Sequence, residues 1–217
     1  MTTSQPTRID LIEAADPNDL VVRARGGCED SYAELTRRYF PRLVQLILPR
    51  MTHSNHMDAE DIAQESLARA FQKLDAFDPH YRFSTWLYTI AIRLSVDHNR
   101  GTRRRLTMLE THRSLFEANA RPTASLAVEY ERRETTDSIW RLARAALGEP
   151  CYTAMWLRFA EDLSVAEIAR VMRKTKVGVR VLLHRARIKM LKVIITEDAI
   201  RSQTTFRQPS EISGEAG

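Results

Sequence analysis

Ser164 to Lys192, SVAEIARVMRKTKVGVRVLLHRARIKMLK, reads as two helices joined by a tight turn, the second strongly basic. Ser164 and Glu167 have the S-x-x-E spacing of a capping box, in which the hydroxyl caps an orphan backbone N–H and the carboxylate reaches back. A helix should start near Val165 and run through Ile168, Ala169 and Met172. Arg173-Lys174 then interrupts the pattern, and Thr175 is the N-cap candidate for a longer helix reaching about Ile194. On that helix Val179, Leu183, Ala186 and Met190 share one side, while Lys176, Arg180, His184 and Arg187 share the other.

From Arg170 to Lys192 the chain carries nine Lys or Arg and no acid, so the counter-charge must come from a partner or from salt. A helix-turn-helix that lays its second helix in the major groove needs this arrangement, an apolar side for packing and a basic side for phosphates and base edges. A lone basic helix is more often a solvated bundle face. Two capped helices at this spacing favour DNA.

The 217 residues suffice for two small cores, and a composition 43% hydrophobic and 28% charged is that of a soluble globular chain. No apolar run approaches bilayer length, so membrane insertion is not expected. The start, MTTSQPTRIDLIEAADPNDL, has acids and no apolar core of a secretory signal, which points to the cytoplasm. Cys28 and Cys151 are far apart and outside any CxxC, which argues against a disulfide framework or a zinc site. The net charge of +5 favours anionic partners without naming one.

Residues 1–18 are polar, end near Asp-Pro, and read as a mobile arm. Tyr32, Leu35, Tyr39, Leu43 and Leu46 then recur at helical spacing, with Pro41 expected to kink or break the run. From Ala59 to Leu74 a helix buries Ala63, Leu67, Ala70, Phe71 and Leu74 and turns Asp61, Glu65, Ala68 and Gln72 outward, flanked by Gln64 and Arg69. The loop DAFDPHYRF offers His80, Tyr81 and Arg82 for stacking and hydrogen bonding, and Ser84 can cap the next helix. That third helix, to about Arg100, buries Phe83, Trp86, Leu87, Ile90, Ala91 and Leu94 and presents Thr85, Thr89, Arg93 and Arg100. Arg103-Arg104-Arg105 extend this basic surface.

The pattern weakens over 105–130, a mixed-charge stretch with Pro122 that reads as a linker. A helix resumes near Ala127 or later and passes Ile139, Leu142, Ala143, Ala146 and Leu147 to Gly148, a C-cap candidate. Pro150 opens the next helix, with Met155, Trp156 and Phe159 as core candidates, and residues 196–217 read as a frayed tail. No strand pattern is visible. There is no Gly-rich phosphate loop, H-E-x-x-H or ordered Ser/His/Asp set, so an enzyme is the remotest reading, with neither catalytic residues nor cofactors expected.

Taken together, DAEDIAQESLARAF from Asp58, FSTWLYTIA from Phe83, DLSVAEIA from Asp162 and LHRAR from Leu183 resemble the extracytoplasmic-function group of bacterial sigma factors. The resemblance covers about 20–100 and 130–195. It implies an all-α fold of two small helical domains, a region-2-like bundle (19–104) and a region-4-like helix-turn-helix (131–195), joined by the linker. It further implies a non-enzymatic subunit that binds core RNA polymerase and directs it to promoters.

On this resemblance Asp61, Gln64, Glu65 and Arg69 meet the clamp helices of the polymerase. His80, Tyr81, Arg82, Thr85, Thr89, Arg93 and Arg100 open and track the minus-ten element, and Thr175, Lys176, Arg180, His184, Arg185 and Arg187 meet the minus-thirty-five element. The polymerase flap is a further contact, and anti-sigma factors are common partners in the family. Two positions depart from its pattern: Arg173 stands where the turn usually has glycine, and Val181-Leu182 replaces a polar pair, favouring thymine-methyl contacts over hydrogen bonds. The rival reading, a helix-turn-helix regulator acting without polymerase, leaves the motifs from Asp58 to Ile92 unexplained.

Overall fold

The computed structural model describes residues 12, 14–51, 56–113 and 136–205, with the side chains of 108–113, 136–138 and 197–205 left aside. The described residues hold eight α-helices, two single 3-10 turns (Leu48–Arg50 and Leu74–Ala76) and no strand. These are α1 (Pro17–Arg25), α2 (Glu29–Ile47), α3 (His56–Gln72), α4 (Phe83–Arg113), α5 (Thr136–Ala146), α6 (Glu149–Phe159), α7 (Val165–Val171) and α8 (Lys176–Thr205). The linker reading over 114–130, and a helix start near Ala127, lie outside the described residues.

Helices α1 to α4 pack around Leu20, Leu35, Leu43, Leu46, Ile47, Phe83 and Leu87, all with no exposed surface. Order begins earlier than Asp19: Ile12 is buried and Asp16 caps α1, its carboxylate accepting from the N–H of Asn18 at 2.8 Å. The polar run is interrupted by Ile9, Leu11 and Ile12, and Ile12 has an apolar core within reach. Pro41 lies inside an unbroken α2, on an exposed position where a carbonyl deprived of its partner can be hydrated.

Ser84 does not cap α4. It is buried one residue inside the helix, and Asn18 supplies the cap from 65 positions away, its amide oxygen accepting from the N–H of Phe83 at 3.0 Å. Helix α4 also continues past Arg100 to Arg113, and α8 past Ile194 to Thr205. Both extensions are polar, so apolar periodicity gave no signal there.

The second half is α5 to α8. The Ser164–Glu167 capping box forms, with the Ser164 N–H donating to the Glu167 carboxylate at 2.8 Å and the Glu167 N–H donating back to Ser164 Oγ at 3.3 Å. Thr175 caps α8, accepting from the Gly178 N–H at 3.0 Å. Val179, Ala186 and Met190 are buried as their spacing requires, with Leu183 half-buried beside them. Three expectations fail. Ile139 and Phe159 are 48% and 70% exposed, the latter because it ends α6 on the outer side of the turn. Gly148 is not a left-handed C-cap but the extended N-cap of α6, at φ −66°.

Arg173 adopts the left-handed conformation, at φ 52°, that the family's glycine would occupy at no steric cost. A side chain there costs about 1–2 kcal/mol. Arg173→Gly should therefore stabilise the second half by roughly 1 kcal/mol, less the entropy a glycine adds to the unfolded chain. A midpoint shift in urea denaturation measures it, and no rise would mean that Arg173 is held there by compensating contacts.

Candidate nucleic-acid interface

Three surfaces carry the residues that the resemblance assigns to partners. On α3, Ala59, Ile62, Ala63, Ser66, Leu67 and Ala70 face the core, which leaves Asp61, Gln64, Glu65, Ala68 and Arg69 exposed. Arg69 Nε donates to Glu65 at 2.5 Å, one turn along the helix. The face is acidic at its start and carries one large exposed apolar side chain, Met57, at 69%.

The second surface is the loop before α4 and the outer side of α4. The loop is fixed by residues that the sequence reading missed. Arg25 of α1 donates from its guanidinium to the carbonyls of Leu74 (2.6 Å), Asp75 (3.3 Å) and Phe77. Asn18 Nδ2 donates to the carbonyls of Pro79 (3.2 Å) and Tyr81 (3.0 Å). These partners lie 49 to 63 positions apart in the chain, so no local pattern marks them.

His80 stands 91% exposed, with Nδ1 2.7 Å from Asp78 Oδ1, and the His80 backbone N–H holds the Asp78 carboxyl below the usual range. Tyr81 is 47% exposed, and the Arg170 guanidinium lies 4.3 Å from its ring centroid. Arg82 Nη1 donates to the Asp162 carbonyl at 3.0 Å. Arg93 and Arg100 are exposed, and Arg100, Arg103, Arg104 and Thr107 line an open depression on α4.

Thr85 departs from expectation. It is only 2% exposed, and its hydroxyl donates to Glu167 of α7 at 3.2 Å, because α7 packs across a side of α4 that a helical projection leaves to solvent. Thr89 is half-buried, its hydroxyl spent on the Thr85 carbonyl at 2.8 Å.

Burial pushes the Glu167 carboxyl up, but the Ser164 hydroxyl and N–H and the Thr85 hydroxyl outweigh it and leave it below the usual range. Its stabilising contribution is therefore present above the ordinary carboxylate range and lost as the pH falls through the lowered value.

The third surface is the outer side of α8, where Lys176, Arg180, His184, Arg185 and Arg187 are all exposed and Thr175 sits at the cap. Val177 and Val181 are exposed beside them, at 66% and 42%. An alkyl pair between cations suits thymine methyls flanked by phosphates. Among the described residues there is no cluster of His, Cys, Asp and Glu able to hold a metal, and no helix long and apolar enough to cross a membrane.

Comparison with known proteins agrees with this layout. Residues 35–105 match the Sigma-70 region 2 family and residues 146–190 the Sigma-70, region 4 family. The chain is 31% identical over 191 residues to the ECF RNA polymerase sigma factor BldN of Streptomyces coelicolor, covering 86% of this chain and 69% of that one. It is 40% identical over 80 residues to the ECF RNA polymerase sigma factor SigW of Bacillus subtilis, covering 37% of this chain and 42% of that one. Its fold is similar to that of the sigma factor RpoE of Bartonella quintana, solved in complex with the anti-sigma factor NepR, with a TM-score of 0.53 at 20% identity over 75% of this chain and 96% of that one.

Proposed function

Because the chain belongs to the extracytoplasmic-function group of RNA polymerase sigma factors, which bind core polymerase and direct it to promoters, we propose how its surfaces divide that work. Asp61, Gln64, Glu65 and Arg69 dock on the polymerase clamp helices. His80, Tyr81, Arg82, Arg93 and Arg100 take the melted minus-ten strand, joined by Thr85 and Thr89 once α7 moves away. Thr175, Lys176, Arg180, His184, Arg185 and Arg187 take the minus-thirty-five element, with the second half also touching the flap.

The supporting observation is an exposed acidic helix face on the region-2 half and an exposed basic helix face on the region-4 half of one chain. Duplex opening costs a few kcal/mol per unstacked step, recovered when bases stack and the single strand meets cations, which is what the Tyr81 ring and the arginines of α4 supply. The phosphoryl chemistry and its metal ions belong to the polymerase, and the protein works beside it in the cytoplasm. An anti-sigma factor of the kind bound to the Bartonella relative is a further partner.

In vitro transcription on genomic fragments with core polymerase tests the assignment, and no promoter-dependent initiation from any fragment would overturn it. Within it, Arg180→Ala should weaken binding to the upstream element by about 1–3 kcal/mol and relax its specificity, as loss of a base-edge contact does. Equal discrimination between cognate and scrambled duplex in both proteins would remove Arg180 from sequence reading.

A further inference from the structure

The loop that carries His80, Tyr81 and Arg82 is held by two side chains of α1, a helix with none of the residues assigned to a partner. Leu20, Val21 and Ala24 seat α1 in the core, each at most 3% exposed. Asn18 and Arg25, two turns apart, leave α1 on one side. Arg25 gives Nε to the Leu74 carbonyl at 2.8 Å and Nη2 to the carbonyls of Leu74, Asp75 and Phe77. Its guanidinium lies 5.9 Å from the centre of the Phe77 ring. Asn18 uses its whole amide, Oδ1 accepting from the Phe83 N–H and Nδ2 donating to the carbonyls of Pro79 and Tyr81. Only the nitrogen can serve two carbonyls, which fixes the orientation of the amide.

The Asn18 bonds act on the part of the loop that would meet a base. A planar peptide moves as a unit, so pinning the Pro79 and Tyr81 carbonyls sets the peptide planes on either side of the His80–Tyr81 pair. Between them the turn closes on itself, the His80 N–H donating to Asp78 Oδ1 at 3.0 Å and the Tyr81 N–H to the Asp78 carbonyl at 3.1 Å. The backbone is fixed while its side chains stand in solvent, His80 at 91% and Tyr81 at 47%.

We propose that Asn18 and Arg25 are positioning residues for strand capture: α1 is a frame that holds the loop in its base-accepting shape before DNA arrives. The inference rests on the assignment of this loop to the minus-ten strand. A loop ordered only on binding loses part of its contact energy to that ordering, and a loop already clasped does not. Neither residue lies on the outer face of α3 or on α8, so removing the clasp changes the loop and spares the other two surfaces.

The promoter that the wild-type chain and core polymerase transcribe, carrying 2-aminopurine in its minus-ten element, reports opening as a rise in fluorescence. Asn18→Asp keeps an oxygen for the Phe83 N–H but sets a carboxylate against two carbonyls, and Asn18→Ala loses both functions. Opening should fall ~10-fold in each, the factor expected when the competent loop shape drops to about a tenth of the population. The melting temperature should fall less in Asn18→Asp than in Asn18→Ala, and co-elution with core polymerase should hold in both. Arg25→Met, which keeps the stem and removes the donors, should lower opening as well. Arg25→Lys should restore part of it, since an ammonium donates to carbonyls without the planar fork that spans three.

A merely structural role predicts that opening follows the melting temperature, with Asn18→Asp near the wild type. That result, or undiminished opening in both Asn18 variants, would overturn the proposal. Tyr81→Ala should itself lower opening, and adding Asn18→Asp should lower it little further, because both act through one loop. Additive losses would leave the loop on the strand and remove Asn18 from its positioning. Unchanged opening in both Tyr81→Ala and His80→Ala would instead take the loop off the strand, and the proposal with it. Absence of wild-type transcription would overturn the sigma-factor assignment.

Discussion

The double reversal Asp61→Lys with Glu65→Lys should abolish co-elution with core polymerase and lower promoter-dependent transcription by ~100-fold or more, with little change in melting temperature. Both carboxylates are exposed on α3, and the one ion pair involved, Glu65 with Arg69, has side chains about half exposed, at 51% and 49%. Such a pair is worth about 0–1 kcal/mol, so the fold loses little. Binding loses far more. Each reversal turns an attraction to a basic partner into a like-charge juxtaposition, and two together should cost on the order of 3 kcal/mol, which is roughly 100-fold. The loss should narrow as ionic strength rises, because exposed charges are screened over about 10 Å at 0.1 M salt. Gel filtration of the mixture reads the outcome. Unchanged co-elution at low salt would move the polymerase contact off this helix.

What the sequence disclosed was what a single element carries within itself. The capping box at Ser164, the cap at Thr175 and the apolar side of α8 are local, since each partner lies within a turn or two, and they stand as read. The outward face of α3 was legible for the same reason. What stayed hidden depends on approach between distant elements. Asn18 caps α4 and clasps the loop at Pro79 and Tyr81, and Arg25 collects three carbonyls of the turn after α3, yet nothing near either residue announces a partner.

Thr85 was misplaced because a helical projection assumes one buried side. Helix α4 has two, the core of its own half and the α6–α7 end of the other, and so Thr85, Tyr88 and Ser95 are buried along with Phe83, Leu87, Ala91 and Leu94. Ile139 and Phe159 fail in the opposite sense, as apolar residues on helices whose inner sides were already filled. Contact between the halves was beyond sequence reasoning, because its members, Arg42, Tyr88 and Glu161, are each commonplace on their own helix or turn.

Phe83→Ala should be the most destabilising single change in the region-2 half. The ring is fully buried and lies at the centre of an aromatic cluster, 5.3 Å from Tyr39, 5.8 Å from Phe77 and 6.0 Å from Trp86. Removing it deletes apolar surface and leaves a cavity that three large rings cannot collapse to fill, a loss of about 3–5 kcal/mol. At about 2–4 °C per kcal/mol for a chain of this size, the melting temperature should fall by roughly 10 °C. Phe83→Leu keeps much of the volume and should cost less than half as much. The damage should also be directional. Phe83 is the first residue of α4, and its N–H is held by the same Asn18 that fixes the Tyr81 carbonyl. Loosening it therefore disorders the loop before α4 ahead of α3 and, on the proposed assignment of that loop to the minus-ten strand, strand binding should fall further than binding to core polymerase. Circular dichroism melts and the two binding assays, run side by side, separate these effects. Equal losses in both assays would mean that the cluster supports the whole half evenly and gives the loop no special rigidity.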